Sequence, residues 1–583
     1  MRDQDILEYI NKKRNVSFAI IYKKFDIETP KQKKDVKAII QQLQDQGNVS
    51  VDAKTHRIIA TGTKILSRTS SPKGKTFERK DDRPIVRYTD NAEEDLALIK
   101  EKFQLPNEFN TDIEREVHNE IWNNQYSIEK HRQDLRDLFV VTIDGADSKD
   151  LDDAVSISKS FFGGWELGVH IADVSYYVPQ HTALDKEALS RANSYYFINK
   201  VTPMLPQMLS NDLCSLNPNV EKKAMSVFIN FDNQGNVKKY RFTPSIIKTN
   251  YRMTYDRVEE MMKGSPDKDE TLVKNIDLMS QLFRILHTRR MKNGSVDFNF
   301  KEKKIILDDN QLPTKIYQKD RLDSERLIEE FMLAANQATG EFLTKNGPGL
   351  YRVHDLPPVE KYQKLKNFAG KRGYKLPDVP KPKDLQLFID SLVDSPVQMS
   401  GEILTLRSMA QAVYQQENIG HFGLGFTLYA HFTSPIRRYA DLVVHRLIKY
   451  YLFKNEFDKM PYTKEELDNI AIHISAQERI AMEAERDLCK IKSVRYMKPF
   501  EGETIKGTVS SIANFGLFVE DPTSGVEAMI RYSDMKEYIN FNEEELIAYN
   551  RSKTKIYKIG MPITIRIVRV NVERGFIDAE EVL

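Results

Sequence analysis

Five aspartates stand within ten positions between two apolar runs, and no other stretch of the sequence constrains the fold as strongly. The first run covers residues 138–143, the second covers residues 154–157, and the aspartates lie between them at positions 144–153. This pattern predicts a strand, a tight acidic loop and a second strand. Lys149 is the only cation inside the loop, so the carboxylates repel one another and each is harder to ionise.

A divalent cation would remove that repulsion, and carboxylate oxygens are the ligands that Mg²⁺ prefers. A solvated acidic turn is the alternative that the cluster alone leaves open. A calcium-binding loop does not fit the spacing, because counting from Asp144 the third, fifth and sixth positions are Ala146, Ser148 and Lys149. The loop therefore predicts a magnesium site or plain acidic surface.

A second stretch, residues 433–439, reads Thr-Ser-Pro-Ile-Arg-Arg-Tyr and predicts a turn that enters a helix. Hydroxyl groups and two arginines at a helix N-terminus favour an anion. Solvated surface arginines are the alternative. If this turn met the acidic loop, metal ions would hold one side of a phosphate and a guanidinium group the other.

These two stretches resemble the RNase II/RNase R (RNB) family of 3′→5′ exoribonucleases. The acidic motif is Thr-Ile-Asp-Gly-Ala-Asp-Ser-Lys-Asp-Leu-Asp-Asp-Ala over residues 142–154, and the basic motif lies within residues 421–445. The RNase R branch is the more similar one. The resemblance implies processive hydrolysis of single-stranded RNA, and of structured RNA with a 3′ tail, to nucleoside 5′-monophosphates.

The same resemblance implies the residues of the site. One or two Mg²⁺ ions would be bound by four aspartates, which are Asp144, Asp150, Asp152 and Asp153. Asp152 and Arg437 would be catalytic, with Arg437 against the scissile phosphate.

Further RNA contacts are implied by the family motifs as well. They fall on Tyr196 and Phe298 for base stacking, Glu329 and Glu485 near the terminal nucleotide, and Arg438 near the phosphate. Phe300 competes with Phe298 for the second stacking role. His170, in a buried strand after the acidic loop, is expected to be a core or supporting residue rather than a catalytic one.

From residue 500 the apolar period changes to two, which predicts five strands and an OB-type barrel over residues 501–583. This segment resembles an S1 RNA-binding domain. Phe515 and Phe518 would form its stacking platform, with a place in the barrel core as the alternative. Arg531 stands where such domains often have a histidine, and it could meet a phosphate.

The N-terminal residues 1–63 predict three helices and a two-stranded wing at 49–60, which together make a winged-helix domain. Such a module binds nucleic acid or protein. Residues 1–90 carry 20 Lys and Arg against 12 Asp and Glu, so a polyanion is the expected partner. Residues 64–138 predict a linker and a helical lead-in. The stretch 64–93 is too short for the two cold-shock-type domains that RNase R proteins normally carry there.

The whole chain therefore predicts an α+β multidomain enzyme, with the RNB catalytic domain over 139–500. No run of about 18 apolar residues occurs, so no membrane span is expected. Cys214 and Cys489 lie far apart, which suits a reducing cytoplasm and argues against a cysteine zinc site. We expect a cytoplasmic monomer that binds RNA.

Two other functions stay open at this point. One is an RNase II-like exoribonuclease that stalls at duplexes, which the missing cold-shock domains favour and the winged helix disfavours. The other is an inactive RNA-binding protein with an RNB fold, against which the presence of all four aspartates speaks.

Overall fold

The computed structural model describes residues 83–84, 86–118, 131–160, 163–298 and 301–582, with scattered residues between 15 and 60. The chain divides into two compact units, Met1–Asp82 and Arg83–Leu583. Among the described residues, no helix is both long enough and apolar enough to cross a membrane.

The first unit contains a small antiparallel sheet in the order β1-β3-β2. Its strands are β1 (Asn15–Ser17), β2 (Val49–Val51) and β3 (Arg57–Ala60). The pair β2 and β3 confirms the two strands predicted over 49–60. The three predicted helices fall largely outside the described residues, and so does most of the linker after residue 60, so the winged helix stays a prediction.

The strands of the second unit up to residue 500 are β4 (Gln133–Leu135), β5 (Val141–Asp144), β6 (Asp153–Lys159), β7 (Trp165–Ala172), β8 (Tyr195–Tyr196), β9 (Val201–Thr202), β10 (Glu221–Phe231), β11 (Val237–Lys248), β12 (Tyr251–Thr254), β13 (Glu302–Leu307), β14 (Pro313–Lys319), β15 (Tyr351–Val353) and β16 (Val413–Gln415). Its helices are α1 (Asp95–Phe103), α2 (Thr111–Glu116), α3 (Val174–Tyr177), α4 (Ala183–Arg191), α5 (Tyr255–Met262), α6 (Glu270–Asn293), α7 (Asp323–Asn346), α8 (Val359–Gly370), α9 (Pro382–Asp390), α10 (Gln398–Ser408), α11 (Tyr439–Leu452) and α12 (Lys464–Met497).

A seven-stranded mixed sheet organises this unit, in the order β12-β5-β6-β7-β10-β11-β4. β7 is buried along almost its whole length, because α7 packs on β7 and β10, α6 packs on β6, and α11 packs on β11. Strands covered by helices in this way carry continuous apolar runs rather than alternating ones. The predicted strand, acidic loop and strand are confirmed: β5 ends at Asp144 and β6 begins at Asp153.

His170 lies on β7 inside this sheet and is fully buried. Its Nε2 is 2.9 Å from Ser156 Oγ and its Nδ1 is 2.7 Å from Ser226 Oγ, so both ring nitrogens have hydroxyl partners. Burial lowers the pKa of His170 to about 3. The ring is a satisfied core histidine, as the sequence predicts.

The C-terminal segment forms a closed barrel in the order β17-β18-β19-β24-β23. Its strands, with a three-stranded sheet β20 to β22 inserted after β19, are β17 (Thr504–Ala513), β18 (Gly516–Glu520), β19 (Glu527–Arg531), β20 (Ile539–Asn542), β21 (Ile547–Asn550), β22 (Ile556–Lys558), β23 (Pro562–Asn571) and β24 (Phe576–Glu581). The five-stranded OB-type barrel expected from the period of two is confirmed.

The lead-in to the sheet is tied to the end of α12 by a buried ionic cluster. Asp95 is fully buried, and it accepts hydrogen bonds from Arg495 Nε at 2.8 Å and Arg495 Nη2 at 2.6 Å. Lys492 Nζ lies 2.9 Å from the same carboxylate. A short 3₁₀ turn, Ala92–Glu94, leads into α1 within the predicted helical lead-in, and this cluster ties α1 to α12.

Candidate active site

The acidic loop between β5 and β6 is held by hydrogen bonds to its backbone. Arg252, on the neighbouring β12, donates from Nη2 to the carbonyls of Ala146 at 2.9 Å and Ser148 at 2.6 Å. Ser215 Oγ donates to the carbonyl of Lys149 at 2.8 Å. These hydrogen bonds hold the loop backbone from two sides. The side chains of Asp144, Asp150, Asp152 and Asp153 line the cavity beside it.

A cavity of about 680 Å³ lies against this loop, and most of the predicted site residues line it. Its predicted lining residues are Asp144, Asp150, Asp152, Asp153, Tyr196, Glu329, Arg437 and Arg438. The structure thus brings together the two motifs that stand nearly three hundred positions apart in the sequence. The remaining predicted residues, Phe298, Glu485, Phe515, Phe518 and Arg531, are not part of its lining.

Asp152 is the point at which the two motifs touch. Its Oδ1 accepts a hydrogen bond from the backbone N–H of Ile436 at 2.9 Å, and its Oδ2 lies 3.7 Å from Arg437 Nε. Arg437 Nη2 donates to Ser434 Oγ at 3.0 Å, yet the side chain stays 43% exposed on the cavity side. A guanidinium group anchored at one end and open at the other can still contact an anion.

The arginine turn is itself held by the first turn of α11. Asp441, fully buried, accepts hydrogen bonds from the backbone N–H of Ser434 and from Arg438 Nη2, each at 2.8 Å on Oδ1. The predicted turn entering a helix is confirmed, because α11 begins at Tyr439. Arg438 is thus largely committed to Asp441, whereas Arg437 faces the acidic loop.

Burial makes the carboxylates of this site costly to ionise. It raises the pKa of Asp144 to about 8, with the charge of Asp153 adding to the effect, and raises the pKa of Asp153 to about 6. The pKa of Asp152 is also raised by burial, against the opposing influence of Arg437. Positive charge at this position would lower all three pKa values.

Two buried carboxylate oxygens, Asp144 Oδ2 and Asp152 Oδ2, have no hydrogen-bond partner. Four aspartates at one cavity, two of them with an unpaired oxygen, fit the chemistry of a hard divalent cation. In the described part of the chain, however, no group of three or more His, Cys, Asp or Glu side chains is arranged to hold a metal as it stands. Asp150 already has a protein partner, because the Tyr196 hydroxyl donates to its Oδ2 at 2.5 Å.

Tyr195 and Tyr196 are adjacent in the sequence, but their rings differ in burial. Tyr195 is buried, and its hydroxyl donates to the carbonyl of Arg191 at 3.3 Å. Tyr196 is half-buried, lines the cavity, and has its pKa raised by burial and by Asp150. Of the pair, the ring that can meet a ligand is therefore Tyr196, as the motif alignment implies.

Glu329 also lines the cavity, on α7, and forms an ion pair with Arg321. Glu485 is different: it is exposed on α12 and lies outside the cavity lining. Phe298 follows α6 in a segment fixed by the hydrogen bond from Val296 N to the Gly423 carbonyl at 3.0 Å. The roles of Glu485 and Phe298 stay predictions, and Phe300 lies outside the described residues.

The barrel carries a separate aromatic and basic face. Phe515 is 54% exposed and meets Phe518 edge to face at 6.0 Å between ring centroids. On β18 the side chains of Leu517 and Val519 point into the barrel, so Phe518 points outward, against the core alternative. Arg531 extends this face and donates to Asp578 Oδ1 at 3.2 Å.

Part of the cavity wall was not assigned from the sequence. It contains Arg352, His421, Tyr429 and His431. The two histidines and the tyrosine fall within the basic motif at 421–445, which was the available signal. Arg352, on the short strand β15, had none, because a lone arginine near a strand is usually surface charge.

Comparison with known proteins identifies relatives of this chain. The RNB domain model matches residues 132–454 and the S1 RNA binding domain model matches residues 498–580. The chain is 38% identical to Ribonuclease R of Thermotoga maritima over 542 residues, which cover 91% of this chain and 76% of that protein. It is 38% identical to Ribonuclease R of Escherichia coli over 462 residues, covering 77% of this chain but only 57% of that one.

Solved structures of RNase R also resemble this chain. RNase R of Mycoplasma genitalium, in complex with ribose methylated single-stranded RNA, superposes with a TM-score of 0.78 at 30% identity. That match covers 85% of this chain and 78% of the Mycoplasma chain. The same protein in complex with double-stranded RNA gives a TM-score of 0.74 at 28% identity, covering 85% of this chain and 84% of that one.

Proposed function

We propose that this chain, which belongs to the RNB family and is a 3′→5′ exoribonuclease acting on RNA, hydrolyses the terminal phosphodiester in the cavity between the acidic loop and the arginine turn. The observation that carries this proposal is the meeting at Asp152, whose carboxylate touches both the Ile436 backbone N–H and the Arg437 side chain. Carboxylates and a guanidinium group side by side at one cavity suit a phosphodiester.

Mg²⁺ is the cofactor we propose, held by Asp144, Asp150, Asp152 and Asp153. When bound, it would supply Lewis acidity and a water nucleophile at neutral pH. Asp144 Oδ2 and Asp152 Oδ2 have no hydrogen-bond partner, and burial penalises both charges, so a divalent cation would satisfy them. Asp150 would join the site by giving up the hydrogen bond from Tyr196.

The protein groups around this centre have separable tasks. Arg437 stabilises the negative charge that develops on the phosphoryl oxygens, because its guanidinium is anchored at Ser434 and exposed to the cavity. Tyr196 presents a ring for base stacking, which aligns the next phosphate after each cut. Phe298 is proposed as the second ring, and Glu329, Glu485 and Arg438 as further contacts near the terminal nucleotide.

The S1 barrel is proposed to grip single-stranded RNA before it enters the cavity. Phe515 and Phe518 lie on its surface, with Arg531 beside them, and aromatic rings with nearby cations suit successive bases on a single strand. We propose release of nucleoside 5′-monophosphates, and action on structured RNA with a 3′ tail. The Mycoplasma relative, which has been solved with single-stranded and with double-stranded RNA, supports that substrate range.

Asp152→Asn tests the chemistry. The change is nearly isosteric and keeps an oxygen for the Ile436 N–H, but it removes the charge, so we expect hydrolysis in Mg²⁺ to fall by orders of magnitude while RNA affinity survives. Asp147→Asn is the matched control, since Asp147 is an exposed aspartate of the same loop outside the cavity lining. Near-normal turnover by Asp152→Asn would contradict the proposal.

A tailed duplex separates this function from its nearest rival. The enzyme proposed here degrades a duplex with a 3′ overhang to completion, whereas an RNase II-like enzyme stops several nucleotides before the paired region. Products resolved over time on single-stranded and tailed substrates distinguish the two.

A further inference from the structure

The end of α10 lies against the outer face of the barrel. Arg407, in the last turn of this helix, donates from Nη2 to Ser511 Oγ on β17 at 3.2 Å. Ser511 stands directly opposite Phe518 in the antiparallel pair of β17 and β18, and side chains opposed in this way point to the same face of a sheet. Because Phe518 points outward, the guanidinium group of Arg407 lies on the aromatic face of the barrel. The catalytic domain thus adds a cation to the rings of the S1 domain.

The barrel itself supplies little positive charge at this face. Residues 501–583 carry 10 Lys and Arg against 14 Asp and Glu, or −4. Arg531, the basic residue beside the rings, is held by Asp578, whose Oδ1 accepts hydrogen bonds from both Nε and Nη2 at 3.2 Å. A net acidic surface repels a polyanion, so RNA on these rings requires a cation that no carboxylate neutralises.

Arg407 meets this requirement. It is exposed, and among the described residues no carboxylate forms an ion pair with it. Its hydrogen bond goes to the neutral hydroxyl of Ser511 and uses one of several N–H donors of the guanidinium group. The other donors keep the fork geometry that suits the oxygens of a phosphate. Ser511 therefore orients Arg407 without neutralising its charge.

The chain that follows Arg407 leads to the catalytic cavity. Met409 has an extended backbone, and the carbonyl of Ala410 accepts a hydrogen bond from His354 Nε2 at 2.8 Å. Ala412 lines the cavity. Five residues of fully extended chain span at most about 18 Å, so the Cα atoms of Arg407 and Ala412 lie within that distance. A single strand whose 3′ end occupies the cavity can therefore pass Arg407 on its way to the aromatic face.

We propose that Arg407 binds a backbone phosphate of the RNA strand between the cavity and the barrel, and that it forms one single-stranded RNA site with Phe515 and Phe518. This rests on the proposed function, because the 3′ end of that strand must lie in the cavity. The ligand is the phosphodiester group, which every nucleotide carries, so binding here depends on RNA length and salt and not on base sequence. Arg407 fixes the path of the strand and does not touch the reacting atoms.

Binding of oligouridylates of increasing length tests this site. Fluorescence anisotropy is measured in EDTA, so that metal-dependent hydrolysis does not consume the RNA. A series from about 4 to 16 nucleotides covers the site sizes of single OB folds. The shortest RNA should fill the cavity alone, whereas the longest should also reach the barrel. Arg407→Ala should leave the affinity for the shortest RNA unchanged and weaken the affinity for the longest about tenfold, because one charge-assisted contact is lost.

Salt titration identifies the charge. On the longest RNA, the slope of log affinity against log salt should become shallower by about 0.7 in Arg407→Ala, the value for one phosphate contact on a single strand. Arg407→Lys keeps the charge and should keep the slope. Ser511→Ala removes only the hydroxyl that orients Arg407, so it should weaken binding less than Arg407→Ala and leave the slope intact.

Arg284→Ala is the matched control for the loss of one positive charge. Arg284 is an exposed arginine on α6, a helix that packs on α5, α7 and β6. This variant should change neither the length dependence nor the salt slope.

A double variant shows whether the ring and the cation share one site. Phe518→Ala and Arg407→Ala each release the same stretch of strand from the barrel face. The double variant should therefore lose less affinity than the product of the two single losses. If the losses multiplied, the two residues would act at separate sites and a shared site would be excluded.

A brace between the two domains is the competing role of the contact between Arg407 and Ser511. It predicts that Arg407→Ala lowers the melting temperature and weakens short and long RNA equally, with an unchanged salt slope. An equal loss at every length, an unchanged slope or no loss on the longest RNA would overturn the proposal. The proposed function fails separately: wild-type protein that released no nucleotides in Mg²⁺ would refute it, whatever the length dependence of binding in EDTA.

Discussion

Replacing Asp144 by asparagine should stabilise the metal-free protein, although it removes a proposed metal ligand. Burial raises the pKa of this carboxyl from the ordinary 3.8 to about 8, with Asp153 adding repulsion. Because the folded-state pKa lies above the unfolded one, the folded protein holds the proton longer, and stability falls as the pH rises between those two values. The cost is absent at acid pH and complete above about pH 8.

The size of the effect follows from that pKa. One pKa unit corresponds to about 1.4 kcal/mol, so the cost is roughly 4 kcal/mol at pH 7 and roughly 6 kcal/mol above pH 8. Asn carries no charge and avoids this cost. One kcal/mol shifts the melting temperature by about 2–4 °C in a domain of 150–250 residues and by less in a larger unit such as Arg83–Leu583. Asp144→Asn should therefore melt several degrees higher than wild type in EDTA at pH 8.

Thermal unfolding in EDTA from pH 5 to pH 9 measures this difference, and repetition in Mg²⁺ measures the ligand role. The advantage of Asp144→Asn should shrink toward acid pH, and Mg²⁺ should raise the melting temperature of wild type more than that of the variant. Asp147→Asn, an exposed change of equal charge in the same loop, should show neither effect. If Asp144→Asn melted below wild type at pH 8 in EDTA, the reasoning from buried charge would be refuted.

Three further outcomes follow from the site, the barrel and the N-terminal unit. Tyr196→Ala should weaken binding of short RNA by roughly 1–3 kcal/mol and lengthen the end product. Tyr196→Phe keeps the ring and loses only the hydrogen bond to Asp150, so it should bind normally. If both variants lost the same affinity, the hydrogen bond rather than the ring would be responsible. Phe518→Ala should weaken binding of long RNA by a similar amount and leave cleavage of short RNA unchanged. A chain beginning at Arg83 keeps the Asp95 cluster but lacks the basic N-terminal residues. It should bind long RNA more weakly and with a shallower salt dependence. If the slope of log affinity against log salt were unchanged, those residues would be excluded as an RNA-binding element.

Local patterns in the sequence were enough to predict the elements that carry the site. The apolar runs around the aspartates predicted β5 and β6, the period of two predicted the barrel, and the hydroxyl and arginine turn predicted the start of α11. Each of these depends on neighbours along the chain, through strand alternation, turn chemistry or helix capping. The family resemblance then assigned residues to roles, and the structure gathers eight of them at one cavity.

The sequence alone determined that an acidic loop and an arginine turn exist, because each is a contiguous run of residues whose charges and hydroxyl groups can be identified directly from the sequence. Only the tertiary structure decided that they meet, through a hydrogen bond between Ile436 and Asp152 that joins positions 284 residues apart. It also decided that His170 is buried between two serines while His421 and His431 face the cavity. The sequence around each of the three histidines does not distinguish a core role from a place at the cavity. The role of each histidine depends on which partners the fold places against each ring nitrogen, and those partners come from other strands and helices.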